Sequence, residues 1–334
     1  MRRAFAHAVL LLGVPALAGA ANLDVSASYK LRGVAVSNLE LRQNQAGSNK
    51  HSFLTDDARL GVAVRKIRLP GRAGGEDATM DLGLVLHAIG VSGSTASVAS
   101  PFSRAALYYP RTDQTPFIEN AYVRVRGLWS LPLEYTLGRQ TFRLGSGLLL
   151  DDDGAGLTGA TVRGELPWWG MKAEGFIFAD RNPLNTSSPN PLTLFGASLD
   201  LPTEGTWQLM QLFEKDGANQ MVYGCSYAGN PDAGTGCRVS KAFRSFTSAR
   251  YQISYGPLVF DGEAALQKGV ATPTGITPAP NHITYSGDAQ VVRMKWKQRL
   301  YKSGEGIMRV SVARGSGDQP GTATRDEAFF PSRG

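Results

Sequence analysis

From residue 22 onward the chain alternates apolar and polar residues one for one, in segments of roughly ten residues. Val25, Ala27, Tyr29 and Leu31 interleave with Asp24, Ser26, Ser28, Lys30 and Arg32. Ala58, Leu60, Val62 and Val64 interleave with Arg59, Gly61, Ala63 and Arg65, and Leu82, Leu84 and Leu86 with Asp81, Gly83 and His87. Ala121, Val123 and Val125 stand against Asn120, Tyr122, Arg124 and Arg126. A period of two puts each set on one face of a strand. The pattern predicts thirteen strands, over 23–36, 57–69, 77–91, 117–128, 133–144, 158–166, 171–180, 194–201, 207–214, 243–255, 258–268, 283–301 and 307–314.

The connections sort by length. Long polar stretches, such as 92–116 and the Pro-rich run near 273–280, take turns with tight ones such as Pro70-Gly71, Thr203-Glu204-Gly205 and Gly256-Pro257. Long loops at one end and short turns at the other mark membrane barrels. Trp129, Trp168 and Trp169 all fall in short turns, where an interfacial aromatic belt belongs. Packing at the end of a soluble β-sandwich is the other reading of those tryptophans. After residue 20 no apolar run is long enough for a spanning helix. Lipid leaves only the closed barrel as the other spanning structure, because every backbone polar group must be paired internally.

The first twenty residues read as a secretory signal peptide: Met1-Arg2-Arg3, an apolar run through Leu17, then Ala18-Gly19-Ala20. An N-terminal anchor is the alternative, and the apolar run is short for it. Residues 21–334 are then expected to form an all-β, transmembrane, antiparallel up-and-down β-barrel in the bacterial outer membrane. Thirteen strands is odd, and single-chain bacterial barrels are even. The sequence stops at Pro331-Ser332-Arg333-Gly334, in what reads as a long loop. The expectation is a barrel of about 16–18 strands that lacks its last strands here.

Charge refines the picture. The formal net charge is +7, and loss of Arg2 and Arg3 leaves the exported chain basic. Export makes nucleic acid an unsuitable partner. Anionic solutes, acidic polysaccharide and lipopolysaccharide are the expected partners, beside outer-membrane lipid. Arg293, Lys295, Lys297 and Arg299 alternate with Val292, Met294, Trp296 and Gln298. Four cations on one face cannot enter an apolar core unpaired. They suit a watery lumen, or the solvent face of a half-exposed sheet. Further lumen cations are expected at Arg32, Arg59, Arg65, Arg124, Arg126, Arg143, Arg163, Arg250 and Arg309, and anions at Asp24, Asp81, Glu119, Glu165, Asp261 and Glu263. A cation surplus in a narrow pore would favour anions.

Other chemistry is sparse. Cys225 and Cys237 fit one disulfide pinning a loop, or two free thiols. No catalytic triad order, metal-ligand spacing or phosphate loop occurs, and no metal or cofactor is expected. Asp151-Asp152-Asp153-Gly154 reads as an acidic loop tip or a Ca²⁺ ligand set. The expected function is a channel for diffusion or export of anionic solutes or acidic oligo- and polysaccharides. The alternatives are an outer-membrane enzyme and a plugged structural or binding barrel.

The run Phe117-Ile118-Glu119-Asn120-Ala121-Tyr122-Val123 leads to Leu137-Gly138-Arg139-Gln140-Thr141-Phe142 and then Gly145-Ser146-Gly147-Leu148-Leu149-Leu150-Asp151-Asp152. This region resembles the alginate-export family of outer-membrane porins, where Gly-Arg-Gln precedes a Gly- and Asp-rich loop. The stretch 315–330 resembles that family as well. The resemblance implies a porin in which Arg124 and Arg139 line the lumen and guide an acidic polysaccharide.

Overall fold

The structure, a computed structural model, describes residues 21–37, 50–69, 78–93, 115–128, 131–152, 154, 156–166, 170–180, 192–216, 238–274, 282–300, 304–317, 325–329 and 331–332. The signal peptide, Cys225, Cys237, Trp129, Trp168, Trp169 and Asp153 lie outside them.

Alternation delivers strands wherever the sequence predicts them. They are β1 (Asn22–Ser37), β2 (Lys50–Arg68), β3 (Thr79–Gly93), β4 (Thr115–Arg126) and β5 (Leu133–Gln140). Next come the short β6 (Arg143–Leu144) and β7 (Leu150–Asp151), then β8 (Leu157–Leu166), β9 (Met171–Asp180), β10 (Leu192–Pro202) and β11 (Thr206–Asp216). Last are β12 (Arg238–Tyr255), β13 (Leu258–Thr274), β14 (Ile283–Leu300), β15 (Gly304–Gly315) and the short β16 (Arg325–Asp326). The thirteen long strands form one unbroken antiparallel path, each paired with its neighbour in sequence order, and β16 joins β14 off that path in a 14-stranded sheet. β6 and β7 make a separate hairpin. The expected strand at 133–144 ends earlier, at Gln140, and its last residues become β6.

Connections at one end run from 8 to 21 residues and at the other from 2 to 10. The tightest is Gly256-Pro257. Gly256 takes φ 55°, as the first position of such a hairpin demands, and the second position suits the fixed φ of proline.

Register shifts interrupt the ladder at three places among the described residues, one between Val239 and Lys241 in β12, one in β2 and one between β3 and β4. In β2 the register slips between Val64 and Ile67, and Lys66 adopts φ 59°. Its freed N–H donates to Asp81 Oδ1 at 2.9 Å. In β3–β4 the slip between Val85 and Leu86 leaves Glu119 as the extra residue, turned onto the polar face beside Asn120.

One face of the sheet is apolar and exposed. Leu23, Val25 and Leu31 lie on it at one edge and Val310 and Val312 at the other, with 57–66% exposure for four of them and 46% for Val310. Leu60, Leu84, Val162, Ile177, Leu209, Leu266 and Val292 continue it between. The opposite face carries most of the charges, while Asp56, Arg139, Lys268 and Asp288 lie on the apolar face by register. A soluble sheet protein hides its apolar face; here the arrangement is reversed.

The sheet is rolled. Residues 141–156, the connection from β5 to β8, touch both flanks. A Cβ on Gly154 would stand 3.4 Å from the Arg59 guanidinium of β2, while the Ser146 carbonyl accepts from Arg293 of β14 at 3.2 Å. β2 and β14 are ten strand spacings apart, about 48 Å in a flat sheet. Eight residues reach at most about 28 Å, and the β6–β7 pairing folds this run back on itself. Only a sheet curled around the loop satisfies both contacts. The polar face is therefore inner and the apolar face outer. Among the described residues no hydrogen bond joins β1 to β15, so closure is not seen. These two edge strands run in the same direction.

Candidate functional site: the inner face and the loop folded on it

Register pairs decide which inner charges meet. Arg126 binds Asp81 at 2.7 Å and Glu134 at 2.6 Å, and Arg124 lies 3.3 Å from Glu134. Arg163 meets Glu174 at 2.6 Å, and Arg65 meets Asp24 at 2.8 Å. Arg250 makes two bonds to Asp261, at 2.6 and 3.0 Å. Buried His87 has Nε2 3.0 Å from Asp57 and Nδ1 2.8 Å from Glu119, and Arg59 stands 3.1 Å from the same Glu119. Register puts these residues together on the charged face of the sheet, and most of their charge is balanced pairwise.

Among the described residues the balance fails at Lys30 and Arg32 on the edge strand β1 and, most densely, on β14–β15. Lys295 faces Arg309 directly across the ladder, with Arg293 and Lys297 on the same face. Arg293 reaches Asp261 only at 3.7 Å, and Lys297 reaches Glu305 at 3.9 Å. Neither Lys295 nor Arg309 has an acidic partner within ion-pair distance among the described residues. Like charges in facing positions destabilise a ladder, so this doublet carries a local cost. Arg299 continues the row in the backbone register, opposite Glu305.

Two expected lumen residues fall elsewhere. Arg139 pairs in register with Ala121 and Thr158, on the face of exposed Leu137. The inner positions of β5 belong to Glu134, Thr136, Gly138 and Gln140, so the inner placement implied by the family resemblance does not hold for Arg139. Arg143 is not on the wall at all. It belongs to the β6–β7 hairpin, where it lies 3.2 Å from Asp151 and donates to the Ser146 carbonyl.

That hairpin is the part of the site that periodicity does not reveal. Phe142, Leu144, Leu149 and Leu150, with Leu157 beginning β8, pack against Phe176, Phe178, Leu192, Leu194, Met210, Leu212, Phe246 and Ala265. The partners are inner residues of β9 to β13. Phe142 is tilted against both Phe176 and Phe178 at 4.7 Å between centroids. The turn is fitted as closely. Ser146 N–H donates to Glu263 at 2.7 Å. Gly145, at φ 63°, has Glu263 and Met210 atoms 2.8 Å from where a Cβ would stand. A run of leucines inside a nominal loop was the available signal: solvent-facing loops have no use for it.

Asp152 closes the hairpin by accepting backbone N–H groups from Gly156 at 3.1 Å, Gly154 at 3.3 Å and Phe142 at 3.4 Å. Burial pushes its carboxyl above the ordinary range, and neighbouring Asp151 adds to the shift, while the three amides oppose it. Of the acidic run, then, Asp151 holds Arg143 and Asp152 holds the loop backbone.

A second buried charge pair escaped the sequence reading. Arg244 donates to both Glu214 oxygens, at 2.8 and 2.9 Å, with 0% and 1% of the two side chains exposed. It lies on the inner face between β11 and β12, beside the docked loop.

The arrangement offers a charge-lined inner surface, a basic strip along one flank, and a loop occupying part of the interior. Comparison with protein-family models and with curated proteins returns no match to this chain.

Proposed function

We propose that this chain forms the wall of an outer-membrane channel that passes anionic solutes or acidic oligosaccharides. The carrying observation is the outer face. It is apolar, exposed, and bounded by two rows of aromatic rings. Toward the short turns stand Trp207, Tyr251, Tyr255, Phe260 and Trp296, with Trp207 and Tyr251 in contact at 4.7 Å. Toward the long connections Phe195, Phe213 and Phe243 stack at 5.2 and 6.1 Å. Six to eight residues separate the rows along β11 and β12, or about 20–27 Å at strand rise. At the tilt of about 35–45° usual for barrel strands this projects to about 14–22 Å along the barrel axis, just under the ~25 Å apolar band of outer-membrane barrels.

The preference for anions rests on the β14–β15 strip. Lys295 and Arg309, without acidic partners, project a positive potential into a confined space. A plugged barrel is the second reading, favoured by the hydrophobic docking of residues 141–157 on the inner face. The test is conductance across a planar bilayer with a salt gradient, using the mature chain from residue 21. Discrete steps with an anion-selective reversal potential are expected. Cation selectivity would sink the basic-lumen assignment, and silence would favour the plugged barrel.

A further inference from the structure

Residues 325–329 and 331–332 lie against the inner face after β15. β16 adds to the edge of β14 in parallel, Arg325 opposite Thr284 and Asp326 opposite Tyr285, beyond the point where β15 has ended. Ser316 anchors the departure. Its N–H donates to the Asp288 carbonyl at 2.8 Å, its hydroxyl donates to the Glu327 carbonyl at 2.6 Å, and its own carbonyl accepts from Phe329 N–H at 3.1 Å.

The segment then crosses the wall. At Gly287, an inner position of β14, a Cβ would stand 2.8 Å from both the Ala328 carbonyl oxygen and the Phe329 nitrogen. Phe329 packs on the hydrophobic cluster, edge-on to Phe246 at 6.2 Å. Ser332 ends the crossing with two bonds. Its N–H donates to the Leu149 carbonyl of the inner loop at 3.0 Å, and its hydroxyl donates to Glu214 at 2.5 Å. Glu214 is the acid already clamped by Arg244.

We propose that the segment carrying residues 325–329 and 331–332 is a seated strap that locks the inner loop onto the wall and narrows the passage, and that the passage widens when the strap leaves. Three features support a removable element. Its backbone ladder to the wall is two residues long, Arg325 and Asp326 against Thr284 and Tyr285, so side chains and packing rather than a strand seam hold it. The wall beneath it is shaped for it, since Gly287 lacks the side chain that would block it. And it bonds both wall and loop, so its departure breaks the bonds to the Leu149 carbonyl and to Glu214 together, while Arg244 still holds Glu214. The widening rests on the channel reading; the seating does not.

Two readouts on the full chain separate these parts: trypsin cleavage after Arg325 in detergent, and conductance in a planar bilayer. Gly287→Val puts a good strand former where the strap backbone lies. Ser332→Glu sets a second carboxylate against buried Glu214. Both should raise cleavage about tenfold, since proteolysis follows the population of the open form, and both should raise conductance about twofold or more, since an occupant leaves the pore. Ser332→Ala adds no volume and keeps the test open if a bulkier variant does not fold; a lost hydrogen bond should raise cleavage about fivefold. Unchanged cleavage in all three overturns the seating. Faster cleavage with wild-type conductance overturns the narrowing. A channel silent in wild type and variants overturns the narrowing together with the channel reading, while the cleavage rates still decide the seating.

Discussion

At the scale of single residues, the decisive contacts are charges placed where water is scarce. Arg244 and Glu214 are almost wholly buried and bond bidentately. Such a pair gains little over an apolar pair of equal volume, but removing one partner strands the other. Arg244→Ala should therefore cost about 3–5 kcal/mol in a denaturant melt of detergent-folded protein, and the double variant Arg244→Leu/Glu214→Leu much less. Equal losses in both would show that the pair is not acting as a unit. Asp152 makes a prediction in pH. Its carboxyl is raised by burial, so its charged form opposes the docked loop. The stabilisation it lends is complete below its unfolded value of 3.8 and is lost as pH rises through the folded value. Hydrogen-exchange protection of the Phe142, Gly154 and Gly156 amides should increase on acidification from neutral pH. Asp152→Asn should flatten that dependence; a slope that survives the substitution would place its origin in another group.

At the scale of elements, the inner loop is held by shape more than by bond number. Its turn passes Glu263 and Met210 with no room for a Cβ at Gly145, and the backbone there is left-handed. Gly145→Val meets both obstacles. Strain of about 1–3 kcal/mol is expected, enough to loosen a surface-docked hairpin without unfolding the sheet. The readout is exchange of the Ser146 amide, which donates to Glu263 in the docked state. Faster exchange at Ser146 with unchanged protection in β12 and β13 is the expected pattern. Uniform loss across the sheet would mean that the loop is integral to the wall.

At the scale of the whole molecule, the issue is where net charge remains after pairing. Arg124, Arg126, Arg163 and Arg250 are each matched by an acid, so their removal should change stability more than selectivity. Lys295 and Arg309 face one another across β14–β15. Lys295→Glu/Arg309→Glu should move the reversal potential toward cations, while Arg163→Gln should leave it near wild type. A larger shift from Arg163→Gln than from the double variant would relocate the selective region. Geometry also constrains closure. β1 and β15 run the same way, so a direct seam between them would be parallel. An antiparallel seam would need an odd number of further strands between them.

Local chemistry made the strands legible. Side chains on a strand alternate regardless of what surrounds it, so Val25 through Arg32 or Val292 through Lys297 declare their two faces without any tertiary information. The same alternation puts Arg139 with Leu137, and only the family resemblance moved it inside; register returns it to the outer face. The sorting of long and short connections is likewise local. What required tertiary structure is whatever depends on distant partners. Ser146 meets Glu263 across 117 positions and Ser332 meets Glu214 across 118. Nothing in the run from Phe142 to Leu150 has a period that points to a wall. Which arginines are neutralised, and which cations are left without an acid among the described residues, follows from strand register and the roll of the sheet. Alternation assigns a residue to a face, but only pairing between strands assigns it a neighbour.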